Sequence, residues 1–482
     1  MKLKLRLLAF GFALACSLHV QAAMQPDLSS LNAVPRHAVA ASTVAKALAQ
    51  VSDKSRPLRF AVLADLPVAL DGGLWDRAPD DRARWRSRVS SSGALAIALE
   101  FSRFALPAGA ELWIYDARGE LVQGPYSRRD QTPEGKLWTA LVPGDEAVIE
   151  LRVPEAQKSA VSLQLGKLSH AYLDIGRAAV DAPAKSGSCN VDAICSDGDN
   201  WRDEIRSVAL LSIGNEYVCS GQLVNNARRD RSPLLLTANH CEIGQAYPAS
   251  SVVTYWNYQT STCNRAVPNG SLSQSISGST LLAGDVGSDF TLVRLSSTPP
   301  AAYNVYYAGW DAGSAAPRSG VAIHHPAGDE KRISTYTSSA SAQTVCIDGE
   351  ACTRRVRAWQ VDWARGTTEQ GSSGGGLWNQ DHRLVGVLSG GNASCANTGG
   401  SDYFARLNVA YQANSASSGQ LKAWLDPDNS GITSLGGLDS RQVTSDEDGE
   451  GSGGGSLGGG LLAALAALGL LRRLTSRRAC RA

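Results

Sequence analysis

The sequence predicts a mostly β chain with two separate β-rich segments, the first of them a small β-sandwich-like region. Three observations carry this. Charged residues make up only 19% of the chain, Gly numbers 48, and Trp (11) and Tyr (13) each outnumber Phe (7), a composition of loop-rich β structure. Short apolar runs recur and alternate, separated by turns rich in Gly, Pro and Asp. Eight of the ten cysteines fall between residues 189 and 395, so a Cys-free segment is followed by a Cys-bearing one.

The chain has 482 residues, room for about three domains. With 46 Lys and Arg against 45 Asp and Glu, the formal charge of +1 argues against a nucleic-acid binder and against an acidic tail protein. Apolar residues at 43% are enough to build cores. No uninterrupted apolar run reaches the roughly 18 residues of a membrane helix, which excludes an ordinary polytopic membrane protein.

Residues 1–22 read as a secretory signal peptide. Met1-Lys-Leu-Lys-Leu-Arg is cationic, Leu7 to Leu18 is apolar, and Val20-Gln21-Ala22 ends in a small residue, with cleavage predicted after Ala22. Cys16 leaves with the signal. Residues 24 to about 75 mix helical and loop signals. Strand-like text follows in Ala94-Leu-Ala-Ile-Ala-Leu, Glu111-Leu-Trp-Ile-Tyr, Lys136-Leu-Trp-Thr-Ala-Leu and Ala147-Val-Ile-Glu-Leu-Arg-Val. No cluster of His, Cys or paired carboxylates there suggests chemistry. The change in Cys usage sets a boundary near residue 185.

The segment 186–440 is again β-rich, as in Ser207-Val-Ala-Leu-Leu-Ser-Ile, Phe290-Thr-Leu-Val-Arg-Leu and Arg383-Leu-Val-Gly-Val-Leu. A closing helix is expected at Gly419-Gln-Leu-Lys-Ala-Trp-Leu, followed by a helix-ending turn at Asp426-Pro-Asp-Asn-Ser-Gly. That turn lacks the Glu that would close a calcium loop, since position 437 is Gly. An even set of eight Cys (189, 195, 219, 241, 263, 346, 352 and 395) in a secreted chain reads as disulfides. No C-x-x-C occurs, and adjacent His324 and His325 on a strand face opposite ways, so neither a metal nor a cofactor is expected.

Residues 441–456 form an acidic, Gly-rich linker, and 457–482 an apolar stretch (Leu457 to Leu471) followed by Arg472-Arg473 and Arg477-Arg478. This order resembles the GlyGly-CTERM sorting tails of Gram-negative bacteria, which implies transient membrane association and removal by tail-processing machinery during export. Cys480 leaves with such a tail.

Three stretches carry chemistry. Leu234-Leu-Leu-Thr-Ala-Asn-His240-Cys241 delivers an imidazole at the end of an apolar strand, within reach of a clamp from Cys219. Ser288-Asp289-Phe-Thr-Leu places a carboxylate at a strand mouth. Glu369-Gln-Gly371-Ser372-Ser373-Gly374-Gly375-Gly376 surrounds a serine with glycines. A serine hydroxyl needs an imidazole to take its proton and a carboxylate to orient the imidazole. It also needs convergent N–H groups for the oxyanion, each worth on the order of 3 kcal/mol, and glycines let the backbone supply them. Each stretch alone is ambiguous, since Gly-Ser runs also make linkers, but the order His240, Asp289, Ser373 is that of chymotrypsin-type proteases. A serine esterase of the hydrolase-elbow type needs an acid and then a His downstream, and only Asp381 and His382 follow.

Residues 186–440 resemble the bacterial lysyl endopeptidase family of chymotrypsin-like secreted serine proteases. The matching text is Ser186-Gly-Ser-Cys-Asn, Leu223-Val-Asn-Asn, Leu236-Thr-Ala-Asn-His240-Cys, Tyr255-Trp-Asn-Tyr-Gln, Ser288-Asp-Phe-Thr-Leu, Ala308-Gly-Trp-Asp, Ile323-His-His-Pro, Glu330-Lys-Arg-Ile-Ser, Gly371-Ser-Ser-Gly and Trp424-Leu-Asp-Pro. The resemblance implies a double β-barrel protease domain behind a propeptide (23–185). It makes His240 the general base, Asp289 its orienter and Ser373 the nucleophile, with oxyanion N–H groups from Gly371 and Ser373. It implies disulfides Cys189–Cys395, Cys195–Cys263 and Cys219–Cys241, leaving Cys346 and Cys352 for a local loop.

The strand Val387-Leu388-Ser389-Gly390-Gly391 is expected to accept the substrate backbone. By the same resemblance Asp402 lies at the bottom of the primary pocket and pairs with a substrate lysine. Position 367, where trypsin's pocket Asp falls, is Thr. Lysine-specific relatives carry a His where this chain has Ser389 and a Trp within the loop that 338–360 replaces, so cleavage after Lys, with Arg admitted, is the expectation. Lys185 directly precedes Ser186, and self-cleavage there would free the propeptide. The expected protein is a monomeric serine endopeptidase, secreted through the periplasm, acting on proteins and peptides without cofactor. The contrasting expectation is a non-catalytic binding or adhesive protein on the same scaffold; degenerate relatives lose a triad residue, and none is lost here.

Overall fold

The computed structural model describes residues 24–28, 30–50, 57–175, 186–267, 269–348, 351–413, 416 and 419–441. The signal peptide, Cys16, Lys185, Cys480, the sorting tail and all of the linker but Arg441 lie outside them.

Two sheets build the N-terminal part. One runs in the order 36–38, 83–90, 146–153, 111–116, 122–126, with 74–77 added beside 83–90; the other runs 142–143, 96–105, 162–171, 61–69, with 137–138 beside 96–105. Alternation explains their packing. Val62, Ala64, Leu66 and Val68 point from one sheet, and Leu112, Ile114, Ile149 and Leu151 from the other, into one shared core. The region 24–75 departs from the mixed helix and loop expectation. It holds a helix, Ala41–Leu48, but also the nine-residue strand Ala61–Ala69. Pro67 disguised that strand. It lies on the last strand of the sheet, at the register shift between Leu165 and Lys167 of the neighbour, where its missing N–H is tolerated.

Two larger sheets follow. The first has the order 275–277, 252–256, 208–213, 217–223, 234–237, 290–295, 279–285. The second has the order 191–192, 332–336, 320–324, 376–379, 384–391, 401–406, 355–362, 341–346. Strands such as Val208–Ile213 and Leu234–Thr237 are buried along their whole length, so they read as continuous apolar runs rather than as alternation. One core joins the two sheets, with Leu234, Leu236 and Leu292 from the first meeting Val321, Ile323 and Trp378 from the second. The closing helix is shorter than expected, Lys422–Leu425. The Asp426 carboxylate then accepts the N–H groups of Ser430 (2.8 Å) and Gly431 (2.9 Å), which makes the segment a turn.

The N-terminal part packs on the first of these two larger sheets through an apolar cluster that includes Phe60, Trp138 and Ile175 on one side and Val218, Tyr255 and Tyr258 on the other. Leu58–Arg59 pairs antiparallel with Tyr217–Val218, and the Phe60 N–H donates to the Glu216 carbonyl at 2.8 Å. Arg59 also forms an ion pair with Glu216.

Candidate active site

The strand Leu234–Thr237 ends in a short 3-10 turn, Asn239–Cys241, closed by Glu242 at φ 65°. The turn lifts His240 out of the core, and the disulfide Cys219–Cys241 ties it to the neighbouring strand Tyr217–Leu223. Asp289 enters the strand Phe290–Leu295 at φ 43°, a left-handed conformation that Asp tolerates better than most residues. Its buried carboxylate accepts the His240 backbone N–H at 2.9 Å and lies 2.9 Å from His240 Nδ1. The Nδ1 contact leaves Nε2 as the nitrogen without a carboxylate.

Ser373 sits in a loop shaped by glycines. Gly371 (φ 92°) and Gly374 (φ 80°) are left-handed, and a Cβ at Gly374 would lie 2.1 Å from Thr237 Oγ1. The Gly374 N–H donates to the Leu388 carbonyl at 2.9 Å, and the Ser220 N–H donates to the Ser373 carbonyl at 2.8 Å. Beside Ser373, the buried Ser372 hydroxyl contacts His324 Nδ1 at 2.8 Å, while His324 Nε2 meets Ser334 Oγ at 3.2 Å. Burial pulls the His324 pKa down to about 3, so this imidazole is neutral.

His240 and Ser373 line one cavity of about 740 Å³ together with Ser389, Gly390, Gly391 and Asp402. Pairing of Gly376–Asn379 with Leu384–Gly391 stops at Val387, while the other neighbour continues through Gly390↔Tyr403 and Gly391↔Asp402. Asp402 is 1% exposed. Its Oδ2 accepts Trp363 Nε1–H and Thr368 Oγ1–H, both at 2.7 Å. Burial nevertheless outweighs these bonds and pushes its pKa up to about 6. A Cβ at Gly391 would lie 1.9 Å from Asp402 Oδ1, so glycine is what lets this carboxyl face the cavity.

Among the described residues, four disulfides join Cys189–Cys395, Cys195–Cys263, Cys219–Cys241 and Cys346–Cys352. The last closes a hairpin tip whose Ile347, Asp348 and Arg354 reach the same cavity, and Arg354 Nη2 pairs with Glu242 Oε1 at 2.9 Å. Ser186 donates its hydroxyl to Asp329 Oδ2 at 2.9 Å. His382, the partner an esterase would need, pairs with Glu204 at 3.3 Å and packs against the Trp201 ring at a tilt of 31°. Sequence reasoning missed Ser220, Trp363, Thr368 and the Ser372–His324 contact. All four depend on approaches across dozens of residues, for which no local pattern exists.

The His240–Asp289 contact, the glycine-framed serine and the paired sheets belong to a serine endopeptidase of mostly β, chymotrypsin-like fold. The pattern "Lysyl endopeptidase, C-terminal domain" matches residues 183–405, and "Lysyl endopeptidase N-terminal domain" matches 31–172. A lysyl endopeptidase of Pseudomonas aeruginosa is 31% identical over 360 residues, covering 70% of this chain and 75% of that relative. The chain belongs to the lysyl endopeptidase family. Among solved structures, the Rv3671c protease of M. tuberculosis (Ser343Ala mutant, inactive form) is 15% identical, covering 51% of this chain and 98% of its own at a TM-score of 0.32. A thermostable serine protease, AL20, from an extremophilic microorganism is 14% identical, covering 44% and 100% at a TM-score of 0.31. As a member of the lysyl endopeptidase family, this chain has proteins and peptides as its substrates. Among the described residues no helix is long and apolar enough to cross a membrane.

Proposed function

We propose that the chain hydrolyses peptide bonds after lysine, and less readily after arginine, through an acyl-enzyme formed on Ser373. The supporting observation is that His240, Ser373 and the buried Asp402 border one cavity, with Asp289 held against His240 Nδ1 behind it. Asp402 receives the substrate ammonium, and Ser389, Gly390 and Gly391 accept its backbone as an added strand. His240 Nε2 takes the Ser373 proton as Oγ attacks the carbonyl carbon, while Asp289 holds the tautomer and stabilises the imidazolium. The Gly371 and Ser373 N–H groups receive the oxyanion. His240 returns the proton to the leaving amine, and water repeats the sequence to release the acid.

In the same reading, 1–22 is a signal peptide and 23–185 a propeptide cut from 186–440 after Lys185. The segment 441–482 is a linker and sorting tail that holds the chain transiently at a membrane during export through the periplasm. The secreted enzyme is a monomer. The test is secretion of the full chain beside Ser373→Ala, with N-terminal sequencing and matched lysyl and arginyl peptide substrates. The wild type should begin at Ser186 and favour lysyl substrates. The variant should remain uncleaved and hydrolyse neither. A Ser373→Ala protein that matures in the absence of other proteases would rule out self-processing, and one that hydrolyses would remove Ser373 as nucleophile.

A further inference from the structure

We propose that Ser220 is a positioning residue for the oxyanion hole, acting through its hydroxyl on the peptide plane between the two N–H donors; this rests on the reading of Gly371 and Ser373 as those donors. The four carbonyls around the nucleophile each have a defined partner. Gln370 O accepts from Ala327 N–H at 2.6 Å, Gly371 O from the Ser220 hydroxyl at 3.1 Å, Ser372 O from Gly375 N–H at 2.8 Å, and Ser373 O from Ser220 N–H at 2.8 Å. A trans peptide is planar, so holding a carbonyl aims the N–H on the opposite edge of the same plane. The Gly371 N–H shares its plane with the Gln370 carbonyl, and the Ser373 N–H shares its plane with the Ser372 carbonyl. The plane joining those two is the one whose carbonyl the Ser220 hydroxyl binds. That hydroxyl therefore sets the angle between the two donors.

The location makes the restraint effective. Gly371 has φ 92° and no side chain, so the backbone there has the widest freedom to rotate. Ser220 is fully buried and lies on the strand Tyr217–Leu223, next to the bridged Cys219. Its hydroxyl also accepts the His325 N–H at 2.9 Å, at the start of the turn that supplies Ala327 N–H to Gln370. Its carbonyl accepts from Thr237 Oγ1 at 2.8 Å, on the strand leading to His240. Replacing only the hydroxyl leaves the two backbone bonds intact. It frees the Gly371 carbonyl and strands a buried His325 N–H.

The test compares Ser220→Ala, Ser220→Thr and the Thr isostere lacking a hydroxyl, Ser220→Val, in the full chain, with activated enzyme quantified by active-site titration. Substrates are a lysyl peptide anilide, inhibition by a lysinal peptide aldehyde whose hemiacetal oxygen occupies the hole, and inhibition by n-butylammonium, which probes only the Asp402 pocket. Ser220→Ala and Ser220→Val should lose about 10- to 100-fold in kcat, less than the loss of a whole oxyanion donor. KM and n-butylammonium affinity should change less than about 3-fold, aldehyde affinity should fall in parallel with kcat, and Ser220→Thr should retain both. Unchanged kcat in Ser220→Ala or Ser220→Val overturns the proposal, as does equal loss in Ser220→Thr. If Ser220→Thr folds and neither hydroxyl-free variant does, the hydroxyl serves folding and the proposal falls. Activity surviving in Ser373→Ala would instead remove the underlying reading of the site.

Discussion

Replacing Asp402 by asparagine should stabilise the protein at neutral pH while reducing its activity on lysyl substrates. Burial raises this carboxyl from its usual 3.8 to about 6, despite the 2.7 Å bonds from Trp363 and Thr368. About two pKa units at 1.36 kcal/mol each give a cost of about 3 kcal/mol for keeping the carboxylate ionised in the empty pocket. The folded state then binds more protons than the unfolded state between pH 3.8 and about 6. Stability therefore falls as pH rises through that window and is flat above it. Asp402→Asn keeps an acceptor for Trp363 and Thr368 and removes the charge. Denaturant melts should show it more stable than wild type by up to about 3 kcal/mol at pH 7.5, the gap closing toward pH 3.5. On the proposed reading the substrate's lysine ammonium offsets this cost in the wild type, so kcat/KM for lysyl substrates should fall at least about 100-fold in the variant. The binding of n-butylammonium to Ser373→Ala should weaken as pH drops below about 6, when Asp402 protonates. A variant with unchanged stability and undiminished lysine preference would refute both the buried-charge reasoning and the pocket assignment.

Removing the Cys219–Cys241 bridge by a double alanine substitution should cost about 3 kcal/mol, from its 22-residue separation, and should lower kcat because Cys241 adjoins His240. Denaturant melts and kinetics on the same preparation check both. Lys331 is buried with its Nζ on the Ile205 carbonyl at 2.7 Å, and burial pulls its pKa from 10.5 to about 7. The unfolded state then binds more protons between these values, so stability should rise from pH 7 to 10. Lys331→Met should remove that slope and be the more stable protein at pH 7, as melts across pH would show.

The parts of the site legible in the sequence were those whose chemistry is written within a few consecutive residues. Leu234–Cys241 is an apolar strand ending in small residues and a His, and Gly371–Gly376 needs glycines for its own backbone. Both can be read without knowing what lies opposite. The supports of those segments were not legible. Ser220 looks like any strand serine; only the approach of residues 371 and 373, some 150 positions away, gives its hydroxyl and N–H a task. Asp402 had no internal mark of a pocket carboxyl either. Its role was inferred from family resemblance, and its burial follows from Trp363, Thr368 and the missing side chain at Gly391. In the N-terminal part, Asp65 and Pro67 masked a strand whose inward residues alternate cleanly. Edge position made those two residues acceptable, and edge position is a property of the sheet, not of the segment.

The strand Tyr217–Leu223 bears three neighbouring attachments. Val218 pairs with Leu58 and enters the apolar cluster shared with the N-terminal part, Cys219 holds the turn carrying His240, and Ser220 binds two carbonyls of the loop carrying Ser373. Side chains alternate along a strand, so Val218 and Ser220 leave one face and Cys219 the other. On the proposed reading, a substitution at 218 should act on docking of the N-terminal part, one at 219 on stability and placement of the imidazole, and one at 220 on oxyanion geometry. The effect at 218 should appear in maturation yield, that at 219 in melting and kcat together, and that at 220 in kcat without a matching loss of stability. If Val218→Ala lowered kcat of the fully matured enzyme as much as Ser220→Ala does, the strand would be acting as one rigid unit, and neither side chain could be given a separate task.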